Sequence, residues 1–319
     1  MLNFIHFLVC PGPAGKVTQG HVMGVIIEEM HAYYEFLDGG ELPEQRGQVF
    51  SLAEKSLKPV MDAGHPQYLS HLIAATTCPD SLAPSLGQLI IEKFNGSLRN
   101  CHSIDIVQGC AGGVSSLILA SQLAELKKSS VLVVQADAAK KATSKTRGIN
   151  KIFGNGSYAA LIRYQDTSKG LLHSKSKQYK GLSEVVSVNL GHDAGEIIMK
   201  EKKDMASDPR KHLGLNMKNL LAIRLMRNAE EFYLDFVKES TAPDVMILHQ
   251  VNPMILRHLK KVFSKYKMEF VDVSKLTGNC GAASVGIALN IVKKSMEGKK
   301  VLLCSFGTGG VITAGLWQF

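Results

Sequence analysis

The chain has 319 residues, of which 45% are hydrophobic and 20% are charged, proportions typical of a globular protein with a sizeable core. No apolar run approaches the roughly 20 residues that a membrane-spanning helix needs, so the sequence predicts no membrane span. The net charge of +9 suits an acidic partner, but the basic residues are dispersed and no RNA-binding motif is present. We therefore expect no nucleic acid binding.

The six cysteines are scattered and form no CxxC pair, which is typical of reduced thiols in a cytoplasm. The N-terminal stretch has a short apolar start without a basic leader, so we expect no signal peptide. These two features predict a cytoplasmic location.

Along the first half, apolar residues recur at helical spacing or in short buried runs. This pattern predicts helices at 46–62, at 84–94 and after Cys110, and strands at 71–80, 103–107, 130–136 and 158–164. Pro84 is expected in the first turn of its helix, where a missing N–H group costs nothing.

The second half repeats this alternation. It predicts helices at 214–239, 253–266 and 281–296, and strands at 244–250, 299–310 and 311–319. Alternating strands and helices indicate an α/β protein rich in parallel strands. Because the segment 127–140 resembles 298–310, we predict two similar halves, residues 1–170 and 171–319, that meet in a polar loop within 165–185.

Cys110 lies in DIVQGCAGGVSSL, at the junction of a predicted strand and a predicted helix. A helix N-terminus presents unpaired N–H groups, which favour a thiolate and stabilise an oxyanion formed when sulfur attacks a carbonyl. The neighbouring glycines let a substrate approach closely. A free cysteine is more often a small buried apolar residue, and we interpret the other five cysteines in that way.

A nucleophilic cysteine needs a partner, and His249 is the distinctive histidine. It follows the apolar run VMIL at the carboxyl end of a predicted strand, where α/β sheets bind ligands. We interpret eight other histidines as surface or packing residues in helices or loops: His21, His31, His65, His71, His102, His173, His212 and His258. Asn279, in LTGNCGAASVG, is by itself a turn residue, and SFGTGG at 305–310 is either a tight hairpin or a set of backbone donors.

Together these stretches resemble the thiolase superfamily and, within it, the ketoacyl synthase III group of initiating condensing enzymes. DIVQGCAGGVSSL is similar to the nucleophile motif, IFGNGSYAALI to FGDGAGAAV, ILHQVNPMIL to HQAN, GNCGAAS to GNTSAAS, and FGTGGVITAGLWQF to the C-terminal FGGG hairpin. The motifs occur in the order of the family and cover most of the chain.

The resemblance implies a five-layered αβαβα fold, a homodimer, and a catalytic triad of Cys110, His249 and Asn279. Cys110 would take an acyl group from a thioester of CoA or of an acyl carrier protein. His249 and Asn279 would then stabilise the carbanion formed when a malonyl thioester loses CO₂, giving a β-ketoacyl product. The backbone N–H groups of Cys110 and Thr308 would form the oxyanion hole. No metal and no permanently bound cofactor is expected.

The chain departs from the family pattern at several positions. Ala83 replaces a large aromatic residue that lines the acyl pocket of the partner subunit, so we predict a medium or long acyl chain. Asn155 and Thr308 replace an aspartate and a glycine. These departures favour a specialised condensing enzyme of fatty-acid or polyketide-type metabolism. Carrier-docking candidates on the helix after His249 are Arg257, Lys260 and Lys261, although a solvated helix face is the simpler interpretation.

Two alternatives remain open at this point. The first is an acyltransferase of the same fold, in which the acyl group on Cys110 passes to an alcohol or amine and His249 acts as general base. The second is a non-catalytic partner subunit of an active homologue. Retention of Cys110, His249 and Asn279 argues against the second.

Overall fold

Two five-stranded mixed sheets form the frame of the computed structural model, which describes residues 24–35, 48–63, 69–139, 152–182, 186–189, 214–217 and 221–319. The first sheet has the order β1-β5-β4-β2-β3. Its strands are β1 (Val25–Tyr34), β2 (Leu69–Ala75), β3 (His102–Ile106), β4 (Ser130–Ala138) and β5 (Asn155–Tyr164). The β1–β5 and β5–β4 pairs are antiparallel, whereas β4–β2 and β2–β3 are parallel.

The second sheet repeats this arrangement. Its order from the opposite edge is β6-β12-β11-β9-β10, with two antiparallel pairs followed by two parallel pairs. The strands are β6 (Gly170–Gln178), β9 (Val245–Leu248), β10 (Glu269–Val271), β11 (Lys300–Gly307) and β12 (Val311–Gln318); a separate hairpin pairs β7 (Val186–Asn189) with β8 (Gly214–Met217). The resembling segments 127–140 and 298–310 contain β4 and β11, the central strands of the two sheets.

Helices fill the layers around and between the sheets. They are α1 (Gln48–Ala63), α2 (Leu86–Lys93), α3 (Asn95–Leu98), α4 (Gly112–Lys127), α5 (Leu221–Glu239), α6 (Pro253–Phe263), α7 (Ser274–Thr277) and α8 (Ser284–Val292), with 3₁₀ turns at Gly281–Ala283, Lys293–Ser295 and Thr308–Gly310. In the described part of the chain, no helix is long and apolar enough to cross a membrane.

Three hydrophobic cores hold these layers together. One packs α1 and α2 on the first sheet, and another packs α5 and α6 on the second sheet. Between the sheets, α4 and α8 share a central core with residues of both sheets, among them Val114, Val133, Ile287 and Leu303. The result is the five-layered αβαβα fold that the family resemblance implies, built from two similar halves. The boundary between residues 170 and 171 stays a prediction.

Some element predictions were wrong. The loop expected within 165–185 contains the edge strand β6, whose half-polar sequence GLLHSKSKQ reflects one face open to solvent. The helix expected from 214 begins at Leu221, because Gly214–Met217 pairs with β7 instead. Pro84 precedes the α2 cap rather than standing in its first turn, since Ser85 is the N-cap. The sheets are mixed rather than mainly parallel.

The histidine interpretations also differ from the structure. His31, His71, His102 and His173 lie in strands, not in helices or loops. The start of the chain, for which no signal peptide is expected, lies outside the described residues, as do residues 46 and 47 of the predicted first helix and the histidines His21, His65 and His212.

A close contact between α4 and the 3₁₀ turn at 281–283 gives a stability prediction. A Cβ on Gly113 would overlap the carbonyl oxygen of Ala282, so Gly113→Ala is expected to destabilise the protein by about 3 kcal/mol through overpacking. Gly96→Ala is the matched control, because a Cβ there meets nothing within 4 Å. Urea unfolding of both variants would check this, and equal stabilities would contradict it.

Candidate active site

Cys110 lies between β3 and α4, two residues before the helix begins at Gly112. The N-cap residue, Ala111, has no side chain that bonds the first turn, although the N–H of Gly112 donates to the Gly109 carbonyl at 3.0 Å. Gly109 has φ +54°, in the left-handed region that favours glycine. A Cβ there would clash with the Thr308 hydroxyl. The nucleophile candidate and the FGTGG turn therefore lie against each other.

The second half supports the same site from β11. The N–H of His249 donates to the Cys304 carbonyl at 2.8 Å, and the Ser305 hydroxyl donates to the Cys110 carbonyl at 2.7 Å. Two successive residues of β11 thus fix the backbones of His249 and Cys110. Sequence reasoning missed Ser305, and its signal was a hydroxyl within an otherwise apolar strand.

His249 follows β9 directly and is only 3% exposed. Its Nε2 lies 2.9 Å from Oδ1 of Asn279. The same Oδ1 accepts the N–H of Gly281 at 3.0 Å, which fixes the orientation of the amide. Nε2 must then be the protonated nitrogen of the neutral imidazole. Nδ1 is buried, and although the Phe306 backbone lies beside the ring, no hydrogen bond of normal geometry to a described residue reaches this atom.

Asn279 is held by backbone bonds on both sides. Its N–H donates to the Ile152 carbonyl at 2.8 Å, and its carbonyl accepts the N–H of Gly154 at 3.0 Å. The turn that follows is closed by Ser284, whose hydroxyl oxygen accepts the Cys280 N–H at 2.9 Å. The FGNGS stretch of the first half therefore positions an amide of the second half.

Burial controls the protonation of both groups. It lowers the pKa of His249 to about 4, against the opposing effects of Asn279 and the Phe306 backbone. It raises the pKa of Cys110 to about 12, and the charge of Asp137 acts in the same direction. Cys110 keeps part of its surface open to solvent, yet protein atoms surround it densely. The expected thiolate is thus wrong for this state, which pairs a neutral thiol with a neutral imidazole.

This protonation state gives a pH prediction. A raised pKa means that the thiolate fraction stays small at neutral pH and grows until the pH passes the pKa. The rate at which iodoacetamide alkylates Cys110 is therefore expected to rise through about pH 10, beyond the plateau near 8.5 of an ordinary cysteine. Peptide mass spectrometry would follow Cys110, with a free cysteine-containing peptide as the reference. A plateau below pH 8 would contradict the prediction.

The remaining predicted residues lie on the surface. Ala83 is exposed in the segment between β2 and α2, beside Leu82, which is 74% exposed. Arg257, Lys260 and Lys261 are exposed on α6, which begins after His249 with an Asn252 side-chain cap. Among the described residues these three cations form no ion pair. The structure brings His249 and Asn279 into contact and ties Cys110 to the same strand, but it leaves Ala83 and the α6 cations apart from them.

Across the described ranges, no group of three or more His, Cys, Asp or Glu side chains could hold a metal ion. The donors near Cys110 are instead N–H groups and hydroxyls. This arrangement suits the binding of carbonyl oxygens that become negatively charged.

The chain is similar to known proteins of one family. The model of the 3-oxoacyl-[acyl-carrier-protein] synthase III family matches residues 104–179, and that of its C-terminal region matches residues 239–319. The Rickettsia bellii β-ketoacyl-[acyl-carrier-protein] synthase III is 26% identical over 250 residues, 75% of this chain and 73% of the relative. The Clostridium botulinum enzyme of the same name is 28% identical over 264 residues, covering 78% of each chain.

Solved structures show the same fold. The 3-oxoacyl-[acyl-carrier-protein] synthase III of Aquifex aeolicus superposes with a TM-score of 0.72 at 20% identity, covering 87% of this chain and 86% of that one. A variant of OleA from Xanthomonas campestris gives 0.76 at 15% identity, covering 97% of this chain and 100% of that one. In two family models, in its curated relatives and in its fold, the chain is thus similar to the ketoacyl synthase III group of the thiolase superfamily.

Proposed function

We propose that this protein is a decarboxylative condensing enzyme that joins an acyl group held on Cys110 to a malonyl thioester. The observation that carries the proposal is the buried contact of 2.9 Å between His249 and Asn279. A neutral imidazole N–H and a primary amide, both fixed by backbone bonds, suit the stabilisation of an enolate oxygen.

In the first step, the sulfur of Cys110 attacks the carbonyl carbon of an acyl thioester. The oxyanion that forms accepts hydrogen bonds from the backbone N–H groups of Cys110 and Thr308. The close approach of Gly109 to Thr308 places these two donors near each other. The bond from the carbonyl carbon to the leaving sulfur then breaks. The products are acyl-Cys110 and a free thiol of CoA or carrier protein, which leaves with the proton that the cysteine lost.

In the second step, the carbonyl oxygen of a malonyl thioester replaces Oδ1 of Asn279 as the acceptor of the Nε2–H group of His249, and it accepts a second hydrogen bond from the NH₂ group of Asn279. The bond to the carboxylate breaks, CO₂ leaves, and the electron pair moves into an enolate. The enolate carbon attacks acyl-Cys110, forming the β-ketoacyl product, and the released sulfur takes up one proton. Because burial lowers the pKa of His249 to about 4, the imidazole remains a neutral donor throughout.

We propose that the working form is a homodimer that pairs through the β3 edge. β3 ends the first sheet without a neighbour on its outer side among the described strands. Val107, immediately after it, is 71% exposed, and Leu82 is exposed as well. A second copy of this chain would cover these apolar side chains and bring Ala83 toward the acyl site of its partner.

The small side chain at position 83 leads to a prediction about chain length. We expect wild-type protein to be acylated best by medium or long acyl-CoAs. Ala83→Phe is expected to lower kcat/KM for octanoyl-CoA by roughly 10-fold or more, with acetyl-CoA affected less, because an aromatic ring would fill the pocket. Ala83→Gly is the control that keeps the space. Acetyl-CoA as the best wild-type donor would contradict the prediction.

We propose further that the exposed face of α6 docks an acidic carrier protein through Arg257, Lys260 and Lys261. Their exposure and the absence of ion pairs to described residues leave these charges available. Such docking would weaken steeply with salt. We propose further that the acyl donor is a thioester of CoA or of an acyl carrier protein, and that the enzyme serves a specialised fatty-acid or polyketide-type pathway.

Intact-protein mass spectrometry tests the central proposal. Wild type and Cys110→Ala would be incubated with a panel of acyl-CoAs, followed by malonyl-CoA or a malonyl-charged carrier protein. A mass gain on wild type only, discharged with release of CO₂, is the expected result. Discharge by an alcohol or amine instead would indicate acyl transfer, and no acylation by any donor would indicate a non-catalytic partner subunit.

A further inference from the structure

We propose that Asp137 is a positioning residue of the decarboxylation step, which holds the turn after Asn279 so that the Asn279 amide faces His249. This inference rests on the proposed function. Sequence reasoning did not single out Asp137, although a carboxylate within the fully buried strand β4 is an unusual feature.

The Asp137 carboxylate is completely buried near the end of β4. One oxygen, Oδ1, accepts the Thr76 hydroxyl at 2.9 Å, the N–H groups of Thr77 and Cys78 at 2.7 and 3.2 Å, and the Cys78 thiol at 3.2 Å. The other oxygen, Oδ2, accepts the N–H of Ala282 at 2.6 Å. A buried carboxylate with this many donors is strongly oriented.

The bond to Ala282 connects Asp137 with the catalytic pair. Consecutive N–H groups of this turn are divided between two acceptors: Gly281 donates to Oδ1 of Asn279, and Ala282 donates to Oδ2 of Asp137. Fixing the second peptide group therefore fixes the direction of the first. Because the first orients the Asn279 amide, Asp137 acts on His249 through Asn279.

Gly281 is shaped to this carboxylate. It has φ +54°, and a Cβ there would clash with Oδ2 of Asp137 and lie 2.8 Å from the Thr77 hydroxyl. Gly281 stands where the motif GNTSAAS has serine, and the Asp137 carboxylate occupies the space that a side chain at this position would fill. This close approach is a second, independent sign that the turn is built around Asp137.

The proposed role distinguishes the two half-reactions. Acylation depends on Cys110 and on the backbone donors of Cys110 and Thr308, none of which bonds Asp137. The charge of Asp137 in fact raises the pKa of Cys110, so its removal does not disfavour sulfur attack. Decarboxylation depends on the Asn279 and His249 donors, which Asp137 orients.

The test compares Asp137→Asn with wild type and with Cys78→Ala, a control that removes one Oδ1 donor and leaves the Ala282 bond. In Asp137→Asn an NH₂ group, which cannot accept hydrogen bonds, replaces one carboxylate oxygen. It faces either the Ala282 N–H or the donors to Oδ1, so one of these two sets of hydrogen bonds is lost. Decarboxylation of malonyl-CoA is expected to fall by about 10- to 100-fold, since small displacements at a reacting centre cost this much. Acylation by octanoyl-CoA is expected to stay within about threefold, and Cys78→Ala to resemble wild type in both.

Unchanged decarboxylation, or an equal fall in both half-reactions, would overturn the proposal. Wild type that fails to decarboxylate malonyl thioesters would instead defeat the proposed function. In that case the inference about Asp137 is tested by the tautomer of His249. The tautomer is read from the ¹⁵N chemical shifts of protein with labelled histidine, and the His249 signals are assigned with the His249→Gln variant. We expect protonated Nε2 in wild type and mixed tautomers in Asp137→Asn, and identical spectra would overturn the proposal. If Asp137→Asn folds poorly, Gly281→Ala takes its place in the test. Its Cβ would displace the Asp137 carboxylate from the side of the turn, so the same effects are expected.

Discussion

Cys110→Ala is expected to remove acylation and condensation by at least about 10⁴-fold, because no other group at the site can form the thioester. Cys304 is buried within β11, and Cys280 is buried with its thiol directed to the Thr277 carbonyl at 3.3 Å. Cys110, by contrast, keeps part of its surface open to solvent. Neither buried thiol is prepared to replace the nucleophile.

Decarboxylation should survive in Cys110→Ala, since His249 and Asn279 are held by β11 and by the Ile152–Gly154 segment rather than by the thiol. The measurement is release of CO₂ from malonyl-CoA alongside intact mass after acyl-CoA treatment. Cys304→Ala is the control and should keep both activities. Retained acylation in Cys110→Ala would show that the nucleophile has been misassigned.

His249→Ala is expected to give the complementary result. Removing one of the two enolate donors should lower decarboxylation by about 10²- to 10³-fold. Acylation of Cys110 should fall far less, because the donors for that oxyanion belong to the backbone of Cys110 and Thr308. His249→Gln restores an N–H donor and should recover part of the loss.

Rapid-quench mass spectrometry of the acyl-enzyme and a CO₂ assay would separate the two steps. His258→Ala is a suitable control, since this histidine is exposed on α6 and bonds its own helix at Met254. If His249→Ala blocked acylation as strongly as decarboxylation, His249 would be the base of an acyl transfer instead.

The sequence predicted much of the fold because buried strands and helix starts carry strong local signals. The runs before Cys110 and His249 were recognisable as strands; His249 directly follows β9, and Cys110 lies four residues after the end of β3. β1 and β6 were not predicted, because edge strands carry mixed polar and apolar residues. β7 and β8 have only four residues each, too few for a periodic signal.

The site was harder to predict in its energetics than in its residues. Helix position alone favoured a thiolate at Cys110, but burial and the Asp137 charge outweigh it. The pKa of Cys110 thus depends on a residue 27 positions away in the chain (137 − 110), which no local sequence pattern reveals. The tautomer of His249 likewise follows from the Gly281 N–H, a contact that only the folded turn creates.

The central core between the two sheets has a consequence for folding. α4 belongs to the first half and α8 to the second, yet each buries side chains against the other half. Either half expressed alone would expose the apolar face that its counterpart covers, so we expect the repeats to be unable to fold independently. The nucleophile comes from one repeat and the carbanion-stabilising pair from the other. Catalytic activity should therefore appear only after the two repeats have docked. The recovery of activity during refolding would then report the last stage of folding.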